Sequence, residues 1–162
     1  MKKLSTTFFF TIFVVTVLFP QSKNYKIGYI GPGGGIIFAV EGESYSEVSR
    51  LLGGYSWDEA VKAAKNYRGG DFKNWYLPSV TELKLVYDNL VKTNIMSMGN
   101  TWYWSSAKSD KNAILVHLGD GNQLIFQKND TNAVSVIRKF KIKTTRKEKI
   151  ANNRKTPFYL PD

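Results

Sequence analysis

The sequence contains no cysteine and a single histidine, His117. The first absence removes disulfides, thiol nucleophiles, iron–sulfur clusters and cysteine-bound zinc together, so the fold must rest on packing alone. The second removes any metal site built on several imidazoles. Long apolar runs are missing too. The stretch from Phe8 to Phe19 is apolar or hydroxyl-bearing over 12 residues, short of the roughly 18–20 needed to cross a bilayer core. Acids are scarce beside bases: 13 Asp and Glu stand against 23 Lys and Arg, a net charge of +10.

What is present begins with that short run. Met1, Lys2 and Lys3 give a positive head, and Pro20, Gln21 and Ser22 end the apolar segment. This order is the secretory signal pattern. The expectation is a signal peptide over residues 1–22 and an exported protein, in the periplasm, on the outer-membrane surface or outside the cell. Left uncleaved, the same segment would be the chain's one link to a membrane. The remaining 140 residues suit one domain. The charge is uneven: Lys141 to Asp162 holds seven Lys and Arg against two acids. We therefore divide the rest into a domain over 23–140 and a basic tail over 141–162.

Within the domain, Tyr25 to Glu41 reads as strand, glycine-rich turn and strand. Residues 42–55 show no strong period and read as a loop or a ragged short element. Two helices start with the same device. Ser56 with Glu59, and Ser79 with Glu82, each form a capping box in which serine and glutamate satisfy each other's orphan amides. Trp57, Ala60, Val61, Ala64 and Tyr67 fall on one face of the first helix. Leu83, Val86, Tyr87, Leu90 and Val91 do so on the second. Trp75-Tyr76-Leu77 reads as a short buried strand between them. After residue 100 the pattern changes to four strands: Thr101–Ser105, Ala113–Leu118, Asn122–Lys128 and Ala133–Phe140. Gly119-Asp120-Gly121-Asn122 supplies a hairpin turn. Helices followed by a meander of strands imply an α+β domain.

Five of these stretches, taken in order, resemble one family. They are Tyr25–Phe38, Tyr55–Ala60, Asn74–Leu83, Trp102–Ser106 and Ala133–Phe140. Together they resemble the bacterial Lcl C-terminal domain, which closes a collagen-like Legionella adhesin. The resemblance implies a C-type-lectin-like fold, here without disulfides, in which two helices flank a twisted, mostly antiparallel sheet. It also implies a binding module for sulfated glycans. The chain departs from the family pattern at Ser135, where a second arginine often accompanies Arg138, and at Tyr76, where arginine is usual.

The chemical signals sort as follows. Gly31-Pro32-Gly33-Gly34-Gly35 lacks the Lys-Ser ending of a phosphate loop and precedes a strand, so it reads as a sheet turn. Trp57, Trp75, Trp102 and Trp104 could stack on sugar rings, but their positions suit a core; alternation puts Tyr103 on the opposite face from Trp102 and Trp104. Asp110, Asn112, Asp120, Asn122, Asn129 and Asp130 are hard oxygen donors without calcium-loop spacing, and turn chemistry explains them. His117 sits among apolar neighbours with no nucleophile beside it. No catalytic constellation, metal or cofactor is expected, and no carboxylate pair stands out to favour a hydrolase. The binding candidates are the basic edge Arg138, Lys139, Lys141, Lys143, Arg146, Lys147 and Lys149, with Tyr103 added as an aromatic. Such an edge suits an anionic glycan or envelope polymer. The alternative is a structural envelope protein whose tail docks a protein partner. Nucleic acid is disfavoured by export.

Overall fold

The computed structural model describes residues 24–142. The expected signal segment, Lys143, Arg146, Lys147, Lys149 and the remainder of the tail lie outside the described residues. Eight strands and two helices build an α+β fold: β1 (Ile36–Glu41), β2 (Ser44–Val48), β3 (Gly53–Tyr55), α1 (Trp57–Asn66), α2 (Val80–Val86), β4 (Trp102–Lys108), β5 (Asn112–His117), β6 (Gln123–Gln127), β7 (Asn132–Val134) and β8 (Ile137–Lys141). They form a three-stranded sheet in the order β1-β2-β8 and a five-stranded sheet in the order β3-β7-β4-β5-β6. All pairings are antiparallel except β4 with β7.

Both capping boxes are formed. The Ser79 hydroxyl accepts from the Glu82 amide at 3.2 Å, and the Glu82 carboxylate accepts from the Ser79 amide at 2.9 Å. Each helix then buries most of its predicted stripe against a different face of the larger sheet. Val61 of α1 is the correction: it is 38% exposed because it lies one step round the helix from Ala60, past the edge of the buried face. Trp57, Ala60 and Ala64 of α1 pack with Trp104, Ala113 and Leu115. Leu83 and Val86 of α2, with Leu90 beyond it, pack with Tyr103, Val116 and Leu118. Full burial of each such aliphatic side chain is worth about 1.5–3 kcal/mol. The second helix does not stop at Val86; it passes into a single π-helical turn, Tyr87–Val91.

Because a helix covers each face, alternation along β4 does not expose either side. Trp104 and Tyr103 point to opposite faces and both are fully buried. This corrects the expectation for Tyr103. It is no surface aromatic but a core residue, and its hydroxyl donates to the Met98 carbonyl. Three of the four tryptophans behave as core: Trp57, Trp75 and Trp104 are buried, and each indole N–H donates to a backbone carbonyl, while Trp102 is half-buried at the edge of the α1 face.

Two further expectations change. Residues 42–55 are neither a loop nor one short element, for they supply both β2 and β3. The last strand is not one piece: it divides at Ser135-Val136 into β7 and β8, which lie in different sheets. The two observations have one cause. Residues 44–55 and 132–141 run together as one bent antiparallel ribbon, β2 on β8 and β3 on β7, bridged by bonds from Ser49 to Val136 and Leu52 to Val134. The bend moves the ribbon from one sheet to the other. Trp75-Tyr76-Leu77 contributes only an isolated bridge, Tyr76 with Ile137.

The cap of α2 carries a testable charge. Glu82 is half-buried, and burial alone would raise its pKa. The bonds from Ser79, Lys139 and Tyr76 outweigh burial and hold the carboxyl below its ordinary range. A depressed folded pKa means that the stabilisation is present at neutral pH and is lost as pH falls through the folded value. Glu82→Gln retains a capping partner without the charge. Its melting temperature should lie below that of the native chain at pH 7, and the gap should close in acid. A gap that stays constant with pH would refute the charge's role. Ser79→Ala should cost about 1 kcal/mol.

Candidate binding site

The basic edge of β8 begins at an internal ion pair. On the central strand of the smaller sheet, Glu47 is fully buried and lies directly opposite Arg138 of β8. Arg138 donates to one carboxylate oxygen from Nε at 2.8 Å and again from Nη2. The glycine turn closes over the same carboxylate. The Gly33 amide reaches both oxygens at 3.1 Å, and the Gly35 amide reaches one at 3.1 Å. The anion that this glycine loop cradles is therefore the chain's own Glu47. A buried charge is tolerated when it is paired and its lone pairs are satisfied, and both conditions hold here.

The glycines are dictated by that closeness. A Cβ on Gly33 would stand 2.5 Å from the Trp75 ring and 2.7 Å from Glu47 Oε1. Gly70, at φ +60°, lets the chain after α1 press against the Pro32 carbonyl, which a Cβ would meet at 2.5 Å. Trp75 closes the assembly; its indole N–H donates to the Gly69 carbonyl at 3.0 Å.

Arg138 is thereby corrected as a surface cation. It is 3% exposed and neutralised by Glu47. What it offers is the floor of a depression. Its guanidinium carbon lies 3.7 Å from the centre of the Phe72 ring and 4.7 Å from that of Phe140. Such cation–ring contacts order both partners. Around them a concavity of about 370 Å³ is lined by Tyr25, Pro32, Phe72, Phe140, Lys141 and Ile142 along with Arg138. Tyr25 and Phe140 are half-buried and meet edge to face at 5.6 Å, and Tyr45 stacks on Phe140 at 5.5 Å.

The remaining predicted residues divide. Lys139 is exposed, on the side of β8 opposite Arg138, with its ammonium 3.0 Å from Glu82 Oε1. Lys141 is exposed on the rim of the depression. Glu47, Phe72 and Tyr25 are the residues that sequence reasoning missed. The one available signal was an acid amid strand-forming neighbours, Tyr45 to Val48.

A second concavity, about 570 Å³, lies between the start of α1 and the outer end of β5 and β6. Asp58, Asp110, Lys111 and Lys128 are among its lining residues. Its charges are mixed. Lys128 donates to the Asp110 carbonyl, and the ammoniums of Lys108 and Lys128 both face the Trp57 ring at 4.9 and 5.1 Å. Among the described residues no three acid or histidine side chains converge as a metal site would require. Asp120 and Asn122 instead close the β5–β6 hairpin, where Asp120 accepts from the Asn122 amide and lies 2.9 Å from His117 Nδ1.

No protein-family model matches the chain, and no curated protein matches it. Among solved structures it is similar to the crystal structure of botrocetin at 11% identity, over 64% of this chain and 95% of that one, with a TM-score of 0.38. That likeness bears on neither ligand nor activity.

Proposed function

We propose that this chain is an exported, non-enzymatic binding module with a C-type-lectin-like fold, and that it takes an anionic glycan or similar surface polymer at the end of β8. The observation that carries the reading is the aromatic depression over Arg138, placed where the chain enters its basic segment. Lys141 stands on the rim of that depression, and Lys143, Arg146, Lys147 and Lys149 follow in sequence. Rings that present a face can stack on sugars, and the cations supply long-range attraction to sulfate or carboxylate groups. The Glu47–Arg138 pair contributes a rigid floor and no net charge.

Retention of the chain on immobilised heparin across a salt gradient tests this. Reversing Lys143, Arg146, Lys147 and Lys149 to glutamate should move elution to much lower salt. Lys141→Glu alone should weaken binding by up to about fivefold, the worth of one exposed ion pair. Phe140→Ala should weaken it with no change in salt dependence, because it removes a surface and not a charge. Equal elution of all four proteins would refute the proposal.

A further inference from the structure

The larger sheet ends on a strand that nothing among the described residues covers. In the order β3-β7-β4-β5-β6, β6 is an edge, and all five of its residues are exposed. Three of them are large and apolar: Leu124 is 42% exposed, Ile125 67% and Phe126 40%. Their partners on β5 belong to the covered part of the sheet, for Leu115 and Ala113, opposite Leu124 and Phe126, are core residues of the α1 face. Edge strands are ordinarily guarded by lysine, proline or a bulge. Gln123 to Gln127 has no charge, no proline and an unbroken register with β5.

The hydrogen-bond phase shows what this edge offers. The His117 amide donates to the Asn122 carbonyl, and the Lys128 amide donates to the Lys111 carbonyl. In an antiparallel ladder, bonded residues alternate with residues that face the other way. Even-numbered residues of β6 therefore bond inward to β5, and Gln123, Ile125 and Gln127 present their backbone groups to the open edge. The Gln127 carbonyl is taken by the Asp130 amide at 3.2 Å.

We propose that two copies of this chain associate through β6, antiparallel about a two-fold axis at Ile125, joining the two five-stranded sheets into one. A two-fold interface must be self-complementary, and this strand is. Centred on Ile125, each outward-facing residue meets another: Ile125 opposes Ile125 of the second copy, and Gln123 opposes Gln127. The side chains agree, because Leu124 opposes Phe126 and no charge opposes its like. A slip in either direction brings Phe126 against Asn122 or Leu124 against Lys128, so the apolar residues themselves select the register.

The absence of cysteine makes the geometry testable in the full chain. In this dimer the two Ile125 Cα atoms stand about 5.5 Å apart, within the range of about 4.4–6.8 Å that a disulfide spans. The two Gln123 Cα atoms stand about 14 Å apart, four residues of strand. Mild oxidation should therefore convert Ile125→Cys to a covalent dimer and leave Gln123→Cys monomeric on a non-reducing gel. Sedimentation equilibrium should show a dimer for the native chain. Ile125→Lys, with circular dichroism unchanged, should raise its dissociation constant by about tenfold or more by setting like charges face to face. A native chain that is monomeric, a dimer indifferent to Ile125→Lys, or equal cross-linking at 123 and 125 would each overturn the proposal.

Discussion

Replacing Arg138 with leucine is expected to destabilise the domain by about 3–5 kcal/mol, because it leaves the Glu47 carboxylate buried without its counter-charge. Glu47 is fully buried, and its other donors are the two backbone amides of the glycine turn. Those amides alone do not offset the cost of an isolated buried carboxylate. The loss should read as a lower denaturation midpoint with little change in slope. Glu47→Leu should cost a similar amount, since it strands the guanidinium together with the Gly33 and Gly35 amides. The double replacement should recover part of either loss, because two apolar side chains pack where two charges had to be held. It should not recover all, for the glycine amides stay without an acceptor. A single replacement costing under about 1 kcal/mol, the range of an exposed pair, would show that water reaches this site.

Removing the Trp75 ring should be about as damaging. Trp75→Ala empties the space between the glycine turn and β8 and orphans the Gly69 carbonyl, at a cost of about 3–5 kcal/mol. Gly33→Ala, which forces a methyl against the same ring, should cost about 1–3 kcal/mol in the native chain. The two should not be additive. With the ring gone, the alanine methyl has room on that side, so Gly33→Ala should cost less in the Trp75→Ala background. Chemical denaturation of the four proteins closes this cycle. Strict additivity would mean that Trp75 is not what dictates glycine at position 33.

Together these replacements separate stability from binding. Arg138 and Trp75 support the depression from below, so their loss should lower stability and ligand affinity in parallel. Lys141 stands exposed on its rim, and its replacement should change affinity far more than the midpoint.

Much of the architecture was legible. The two capping boxes are local motifs in which residues three apart satisfy each other, so Ser56 with Glu59 and Ser79 with Glu82 located both helix starts. Apart from Val61, the apolar stripes at helical spacing found the buried faces, and Gly119-Asp120-Gly121-Asn122 found its hairpin. The absence of cysteine and of a second histidine removed thiol chemistry and multi-histidine metal sites from sequence alone.

The site was less legible, for a reason visible at three residues. Arg138 looks like part of a charged edge because a sequence does not show that Glu47, 91 positions away, lies directly across the ladder. Tyr103 looks like the open face of a strand because alternation predicts two faces but not that helices cover both. Residues 42–55 look irregular because the strand at their heart buries a serine and a glutamate where periodicity expects apolar residues. Short-range signals depend on the few neighbours a residue has in the chain, and those the sequence by itself determined: the helices, the turns, the reduced chemistry, and the charge of the segment after Phe140. Whether a charge is spent internally or displayed, and whether a strand is covered or left as an edge, depends on partners brought together by the bent ribbon and the two helices. Only the tertiary structure decided that Arg138 is neutralised beneath an aromatic depression and that β6 is an exposed edge among the described residues.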